Sequence, residues 1–422
     1  MSFGQEEVER RRVLREELRQ KRQQEQQNLI KRLTYAGVAL AVAAVIILAV
    51  VLIGNADGKK PVDTRPTETV VKETEPKGEQ TVVHFAAAGD LNITDKVVSS
   101  GGAGMDYSRV FADVLPLLAE ADLTVMNLEG NVVGAPYGTQ QASAPAQLLS
   151  VLATAGVDMV QMANSRSIHN GITGLAATLS AIRTAGIEPI GAYASNDEFS
   201  DNGGYTLWEV EGVRIGVVAF TKGMDNMALP AGSENCVNVL YKDYSSTYVE
   251  VDTDRITDIL ERLEKEKPDV TIALVHWGSE YNDTHSKTQE KIRDLMLENG
   301  VDAILGTHPH YVQQVDFDKE AGTLVAYSLG DFLGDRDRSG TEYGVVLNLE
   351  ITKDNGEGTA KITGFDYQPI FTSQDGEGLL RVLRVRPAIA AYEGGYLDKV
   401  SAEDYAAMVN ALARIDARIK GE

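Results

Sequence analysis

The sequence predicts an α/β fold of mixed sheets flanked by helices, carried behind one N-terminal transmembrane helix. Three observations lead there. From Thr81 onward, short apolar runs alternate with helical stretches, the pattern of sheets buried under helices. Tyr205–Val210 and Val213–Phe220 are parted only by Glu211-Gly212, a hairpin signal that places antiparallel neighbours in the sheets. Leu33 to Ala56 carries no charged residue at all.

The chain has 422 residues, enough for one large domain or two ordinary ones beside a tail. Its 62 acidic and 40 basic residues leave a formal charge of −22. That excess argues against nucleic acid as a partner, because phosphate binding needs clustered Lys and Arg. Cys236 is the only cysteine, which excludes an internal disulfide framework and a cysteine zinc site.

Residues 1–32 hold nine Lys/Arg and six Asp/Glu, a net of +3, and Glu6 to Gln27 has no Pro or Gly. We read 1–32 as a charged cytoplasmic helix. Residues 33–54 follow as the transmembrane anchor, since a bilayer needs about 20 apolar residues in a helix. A cleaved signal peptide fits worse: its apolar stretch is usually about 7–15 residues behind a short basic segment. Lys21, Arg22, Lys31 and Arg32 just before the span place the amino terminus in the cytoplasm and the large carboxyl part outside. The expected location is therefore a bacterial cytoplasmic membrane, crossed once. Residues 55–80, dominated by Thr, Glu, Lys and Pro, cannot bury enough surface to fold and are expected to be a disordered tether.

The folded part is expected over 81–375, with 376–422 as a C-terminal helical extension. Candidate strands are Val82–Ala87, Leu123–Leu128, Val157–Ala163, Tyr205–Val210, Val213–Phe220, Val270–Val275, Ala303–Gly306, Leu324–Ser328, Val345–Ile351 and Ile362–Pro369. Candidate helices are Tyr107–Glu120, Pro145–Ala155, Gly171–Ala185, Asp252–Lys267, Ser286–Asn299 and Ser401–Ile419. Several end in Ala-Gly or Asn-Gly, which suits a helix C-terminus.

The polar residues at the ends of these strands carry the chemistry. His308 and His310, in Gly306-Thr307-His308-Pro309-His310, are two of six histidines and follow an apolar run. His276 ends another such run. Ligand sites of open α/β sheets form at the carboxyl ends of strands, and imidazole suits borderline metals, so three histidines at two strand ends point to one metal site. Asp90, Glu129, Asn164 and Asp331 also stand at strand ends. Carboxylates and imidazoles together can hold one or two divalent ions (Mn, Fe, Zn or Mg), which stabilise a developing oxyanion. Singly, each residue is an ordinary turn or core residue; their coincidence carries the reading.

The order of these motifs resembles the CapA family, the bacterial capsule and poly-γ-glutamate synthesis proteins related to calcineurin-like metallophosphoesterases. The motifs are Gly89-Asp90, Asn127-Leu128-Glu129, Ala163-Asn164-x-x-Ser167-x-x-x-Gly171, His276-Trp277-Gly278-x-Glu280-Tyr281, Gly306-x-His308-Pro309-His310 and Tyr327-Ser328-Leu329-Gly330-x-Phe332. The resemblance covers about residues 82–372. It implies a metallophosphatase-like sandwich of two mixed sheets flanked by helices. It also implies Asp90, Glu129, His276, His308 and His310 as metal ligands. Asn127, Asn164, Glu280 and Asp331, within or beside the same motifs, are the candidate substrate-binding residues.

The chain departs from the family at one loop. Where the family usually reads Ala-Asn-Asn-His-x-x-Asp-x-Gly, this chain has Ser165, Arg166 and His169 in place of the second Asn, the His and the Asp. Asp331 likewise stands where the family usually has Asn. Serine is a poor metal ligand unless deprotonated. Arg166 cannot act as an acid near neutral pH, but it can grip a phosphate or carboxylate. His169 is the remaining candidate acid.

Three functions are expected from this reading. The first is a membrane-anchored metal-dependent enzyme of surface-polymer synthesis or export. The second is a catalytically impaired polymer-binding or assembly subunit, with the polymer or its biosynthetic and export subunits as partners. The third is a general extracellular metallophosphoesterase. Whether turnover survives Ser165 and Arg166 stays open at this level.

Overall fold

The computed structural model describes residues 80–395 and 400–420. The expected cytoplasmic helix, the 33–54 span and nearly all of the 55–80 tether lie outside the described residues. Among the described residues, no helix is long and apolar enough to cross a membrane.

The strands in chain order are β1 (Gln80–Asn92), β2 (Leu123–Glu129), β3 (Met159–Gln161), β4 (Glu188–Ile190), β5 (Tyr205–Val210), β6 (Val213–Thr221) and β7 (Val270–His276). They continue with β8 (Ala303–Thr307), β9 (Val315–Asp318), β10 (Thr323–Ala326), β11 (Asp331–Leu333), β12 (Tyr343–Asp354), β13 (Thr359–Gln374) and β14 (Leu380–Arg384). They build two mixed sheets. One runs β14-β13-β12-β1-β2-β3-β4, with β11 paired to β1 off this path; the other runs β5-β6-β7-β8-β10-β9. β1 is parallel to β2 and antiparallel to β12. β6, β7 and β8 are mutually parallel neighbours, and β5 is antiparallel to β6 through the expected hairpin.

The alternation of side chains along the second sheet shows why helices must cover it. Ile272 and Leu274 of β7 enter a core shared with the first sheet. Ala273 and Val275 point the other way, into a core with Ile256, Ile259 and Ile292 from helices Thr253–Lys265 and Lys287–Glu298. β2, β7 and β8 are buried along their whole length, as strands covered on both faces must be.

Two expectations change. The single helix expected over Tyr107–Glu120 is two short ones, Ser108–Phe111 and Leu115–Ala119, the second starting with Pro116 in its first turn. Proline lacks the amide that a continuous helix would need there. The 376–422 segment, expected to be helical, opens with strand β14, which pairs antiparallel on β13 before helices Val385–Glu393 and Ala402–Lys420. Met408, Ala411, Ile415 and Ile419 of the last helix are buried in the main core.

Candidate metal centre

Every strand that supplies a candidate metal-ligating side chain does so from its carboxyl end or from the turn just beyond, except β11, whose first residue is Asp331. Asp90 lies near the end of β1, where the register against β2 shifts between Ala88 and Asp90. Such a bulge re-aims the side chain that follows it. Gly89 sits at that bulge because a Cβ there would stand 1.8 Å from the Gly330 carbonyl oxygen. The close approach lets the Asp90 amide donate to the same oxygen at 3.0 Å. Asp331 pairs beside Asp90 across parallel strands, so two carboxylates distant in sequence meet at one place.

The turn after β8 is forced into unusual backbone. His308 and His310 both have positive φ, 93° and 59°. That region is strained for residues other than glycine, and strain of this kind gathers at functional sites. Here it turns both imidazoles towards the carboxylates. The backbone amide of His308 donates to Asp90 Oδ2 at 3.1 Å, which locks the turn onto β1.

Two groups of ligand atoms result, each with its members within 4.8 Å of one another: Glu129 with His276 and His308, and Asp90 with His310 and Asp331. All six residues are buried. His276 Nε2 is 3.7 Å from Glu129 Oε1, while His310 Nδ1 is 2.7 Å from Asp331 Oδ1 and 3.6 Å from Asp90 Oδ2. Glu129 Oε2 and His308 Nδ1 are buried and have no hydrogen-bond partner. Buried polar atoms are nearly always satisfied, so these orphaned donor atoms fit a cation held between them.

The electrostatics agree. Burial pushes the Asp90 carboxyl up to about 6 and the Glu129 carboxyl up to about 8, the latter also through repulsion from Asp90. Burial, together with His310 and Lys222 nearby, holds His276 and His308 well below the ordinary histidine value. They are therefore neutral imidazoles, the form that binds metal. Burial works against the charge of His310 too, but Asp331, Asp90 and Glu129 outweigh it and raise its pKa well above the ordinary value. A divalent ion would supply positive charge where the buried carboxylates most need it.

The remaining candidate residues separate by position. Asn127 and Asn164, expected to touch substrate, are instead fully buried behind the ligands. Asn127 donates to Asp90 Oδ1 at 2.6 Å, and Asn164 donates to Asn127 Oδ1 at 2.9 Å and to the Leu128 carbonyl at 2.8 Å. They orient the ligands. Asp331, also expected to touch substrate, joins the second ligand group. Glu280 is exposed on the wall of a cleft of about 240 Å³ that Glu129, His310, Asp331 and Arg166 also line.

Arg166 reaches the cleft, but its guanidinium is paired with Asp225 at 2.6 Å. His169 is not brought to the ligands: its Nε2 lies 3.2 Å from the Gln140 carbonyl oxygen, outside the cleft wall. The three-residue offset from Arg166 turns it away. Ser165 Oγ stands 3.0 Å from His276 Nε2, so its hydroxyl adjoins the first ligand group.

Sequence reasoning missed Lys222 and Thr307. Lys222 Nζ donates to the Gly278 carbonyl at 2.8 Å and stands 3.4 Å from His308 Nε2. Thr307 Oγ1 is 3.1 Å from His276 Nδ1 and so orients that ring. Lys222 directly follows β6, so the strand-end rule applied to that strand would have found it.

Comparison with known proteins places these motifs in context. A family model described as bacterial capsule synthesis protein PGA_cap matches residues 84–336. The capsule biosynthesis protein CapA of Bacillus anthracis is 25% identical over 347 residues, covering 79% of this chain and 76% of that protein. The PGA biosynthesis protein CapA of Bacillus subtilis (strain 168) is 26% identical over 298 residues, covering 68% of this chain and 72% of that protein. Among solved structures, the calcineurin-like phosphoesterase YfkN from Bacillus subtilis aligns with a TM-score of 0.42 and 17% identity, over 69% of this chain and 91% of that one. A phosphatase from Mycoplasma pneumoniae aligns with a TM-score of 0.40 and 14% identity, over 69% of this chain and 95% of that one.

Proposed function

The chain belongs to the bacterial capsule synthesis protein family PGA_cap, and from that premise we propose that it is a membrane-anchored, extracytoplasmic protein of capsule, poly-γ-glutamate or related surface-polymer synthesis or export, whose cleft holds one or two divalent metal ions. In this reading the two mixed sheets form a metallophosphatase-like sandwich, residues 33–54 cross the membrane once, and the polymer or its biosynthetic and export subunits are the partners.

The observation that carries the metal is the pair of orphaned donor atoms, Glu129 Oε2 and His308 Nδ1, inside a buried group of ligands. When bound, the ion supplies Lewis-acid stabilisation of charge developing on oxygen. The chain's own residues do the rest. Asn127, Asn164 and Thr307 hold the ligands in place, and Arg166 and Glu280 on the open side meet the incoming group. The test is the divalent-metal content of the purified full chain beside His308→Ala. We expect at least one ion per chain in the parent and a marked loss in the variant. A parent protein that binds no divalent metal ends this reading.

A second reading has its own observation. Arg166 is engaged by Asp225, His169 faces away, and Ser165 offers only a hydroxyl to the first ligand group. A cleft so furnished binds and positions an anion without an acid to protonate a leaving group, as an assembly subunit would. The double variant Ser165→Asn, Arg166→His discriminates the two. Hydrolysis of a phosphate ester that appears only in the double variant favours the binding role, whereas equal hydrolysis by the parent favours an enzyme.

A further inference from the structure

Three arginines line the cleft beside the ligand groups: Arg166, Arg336 and Arg338. Two are already engaged by acids. Arg166 pairs with Asp225 at 2.6 Å, and Arg336 pairs with the buried Asp404 of the last helix at 2.8 Å. Arg338 differs. Its guanidinium lies over the ring of Tyr281, 4.0 Å from the centroid, and among the described residues it has no ion pair within salt-bridge distance. A planar guanidinium laid on an aromatic face is held by the ring while its N–H edges stay free to bind oxygen in a bidentate manner.

The position is built. The Arg338 carbonyl accepts from the Thr341 amide at 3.1 Å and from the Thr341 hydroxyl at 2.9 Å, which closes the turn. The next carbonyl, of Ser339, accepts from Tyr311 OH at 2.9 Å, and Tyr311 directly follows His310. Tyr281 is tied to the same turn, its amide donating to the Pro309 carbonyl at 2.9 Å, and its ring stacks on His310 with 5.4 Å between centroids. Arg338, Tyr281 and His310 therefore form a stack that begins at the exposed rim and ends at Asp331.

We propose that Arg338, laid on Tyr281, is a second oxyanion subsite one ring removed from the ligand groups, so that the cleft takes a ligand carrying at least two oxyanion groups rather than a single one. One group sits at the Asp90–His310–Asp331 end and the next at Arg338. The rest of the surface argues for such a device. A chain with a formal charge of −22 repels polyanions at long range, so retention depends on local cations within the cleft. Glu280, Asp335 and Asp337 share the wall. Asp337 is paired with Lys96 and Asp335 is bonded by Thr94, so two of these three charges are already engaged.

The inference rests on the metal-cleft reading for its first subsite, and the experiment separates the two. The full chain is first titrated with Mn2+ alone, then, loaded, with inorganic phosphate, with tripolyphosphate and with a pentamer of γ-linked glutamate. We expect Arg338→Ala to bind Mn2+ and inorganic phosphate as the parent does and to lose about tenfold in affinity for whichever multivalent anion the parent prefers. Arg338→Lys, which keeps the charge but not the planar fork, should recover only part of it. The two oligomers distinguish a phosphate ligand from a carboxylate one. Unchanged oligomer affinity in Arg338→Ala overturns the subsite, and so does an equal loss for inorganic phosphate and oligomer. Failure of the parent to bind Mn2+, and Fe2+, Zn2+ and Mg2+ in its place, strikes the metal reading instead; the oligomer comparison at Arg338, run without metal, still decides the subsite.

Discussion

At the scale of single residues, the site is a place where burial and charge are set against each other. Gly89 shows the tightest constraint. A methyl group 1.8 Å from the Gly330 oxygen must push β1 and β11 apart, so Gly89→Ala is expected to cost more than about 3 kcal/mol, read by denaturant unfolding. Glu129 gives a dependence on pH. Its carboxyl titrates at about 8 when folded, above its ordinary 4.5, so the folded chain holds this proton more tightly than the unfolded one. The resulting stability is present below pH 4.5 and is lost as pH rises through about 8. His310, raised well above its ordinary 6.5, acts in the same direction. His276 and His308, lowered, act oppositely: their contribution is full above 6.5 and is lost as pH falls below it. Protein stripped with a chelator is therefore expected to lose stability between about pH 6.5 and about 8, and Glu129→Gln to lose less. Thermal unfolding in chelator checks this, and identical slopes in the two proteins would contradict it.

At the scale of elements, what was legible depended on length and burial. β2, β6, β7 and β8 are long apolar runs, and the sequence places them to within a residue or two. β4 and β11 have three residues each, and β9 has four. Runs that short carry no period; they become strands because a neighbour pairs with them, distant for β11 on β1 and close at hand for β9 on β10. Helix Lys287–Glu298 was legible at its start. Ser286 accepts from the Gln289 amide and Gln289 reaches back to the Ser286 amide, a complete capping box. Ser286→Ala is expected to cost about 1 kcal/mol, measured by chemical denaturation.

At the scale of the whole molecule, the segment beyond the family match braces the cleft. Arg418 in the last helix donates to the Val312 carbonyl at 3.1 Å and pairs with Asp283 at 2.9 Å. Val312 follows the histidine turn and Asp283 follows Tyr281, so one side chain steadies both loops. Arg418→Ala is expected to raise amide exchange over residues 279–285 while costing only about 1 kcal/mol overall, since the pair is partly exposed. Exchange unchanged in that loop would remove Arg418 from this role. The anchoring reading is tested on the same scale. The full chain is expected to stay with the membrane fraction through a high-salt wash, and deletion of residues 33–54 to release it. Recovery of both proteins in the soluble fraction would reject the anchor.

The sequence by itself determined the class of fold, the family and most of the residues that gather in the two candidate ligand groups. Those depend on apolar runs and on the residues that end them, and both are local. Asp90, Glu129, His276, His308 and His310 were all readable because each stands where a buried strand ends. Only the tertiary structure decided what each polar residue does there. It put Asp331 beside Asp90, moved Asn127 and Asn164 behind the ligands, gave Arg166 to Asp225 and left Arg338 on Tyr281. These pairings join residues tens to hundreds of positions apart. They are set by how two sheets pack and by which buried charge finds a partner, and no pattern of neighbours along the chain records that outcome.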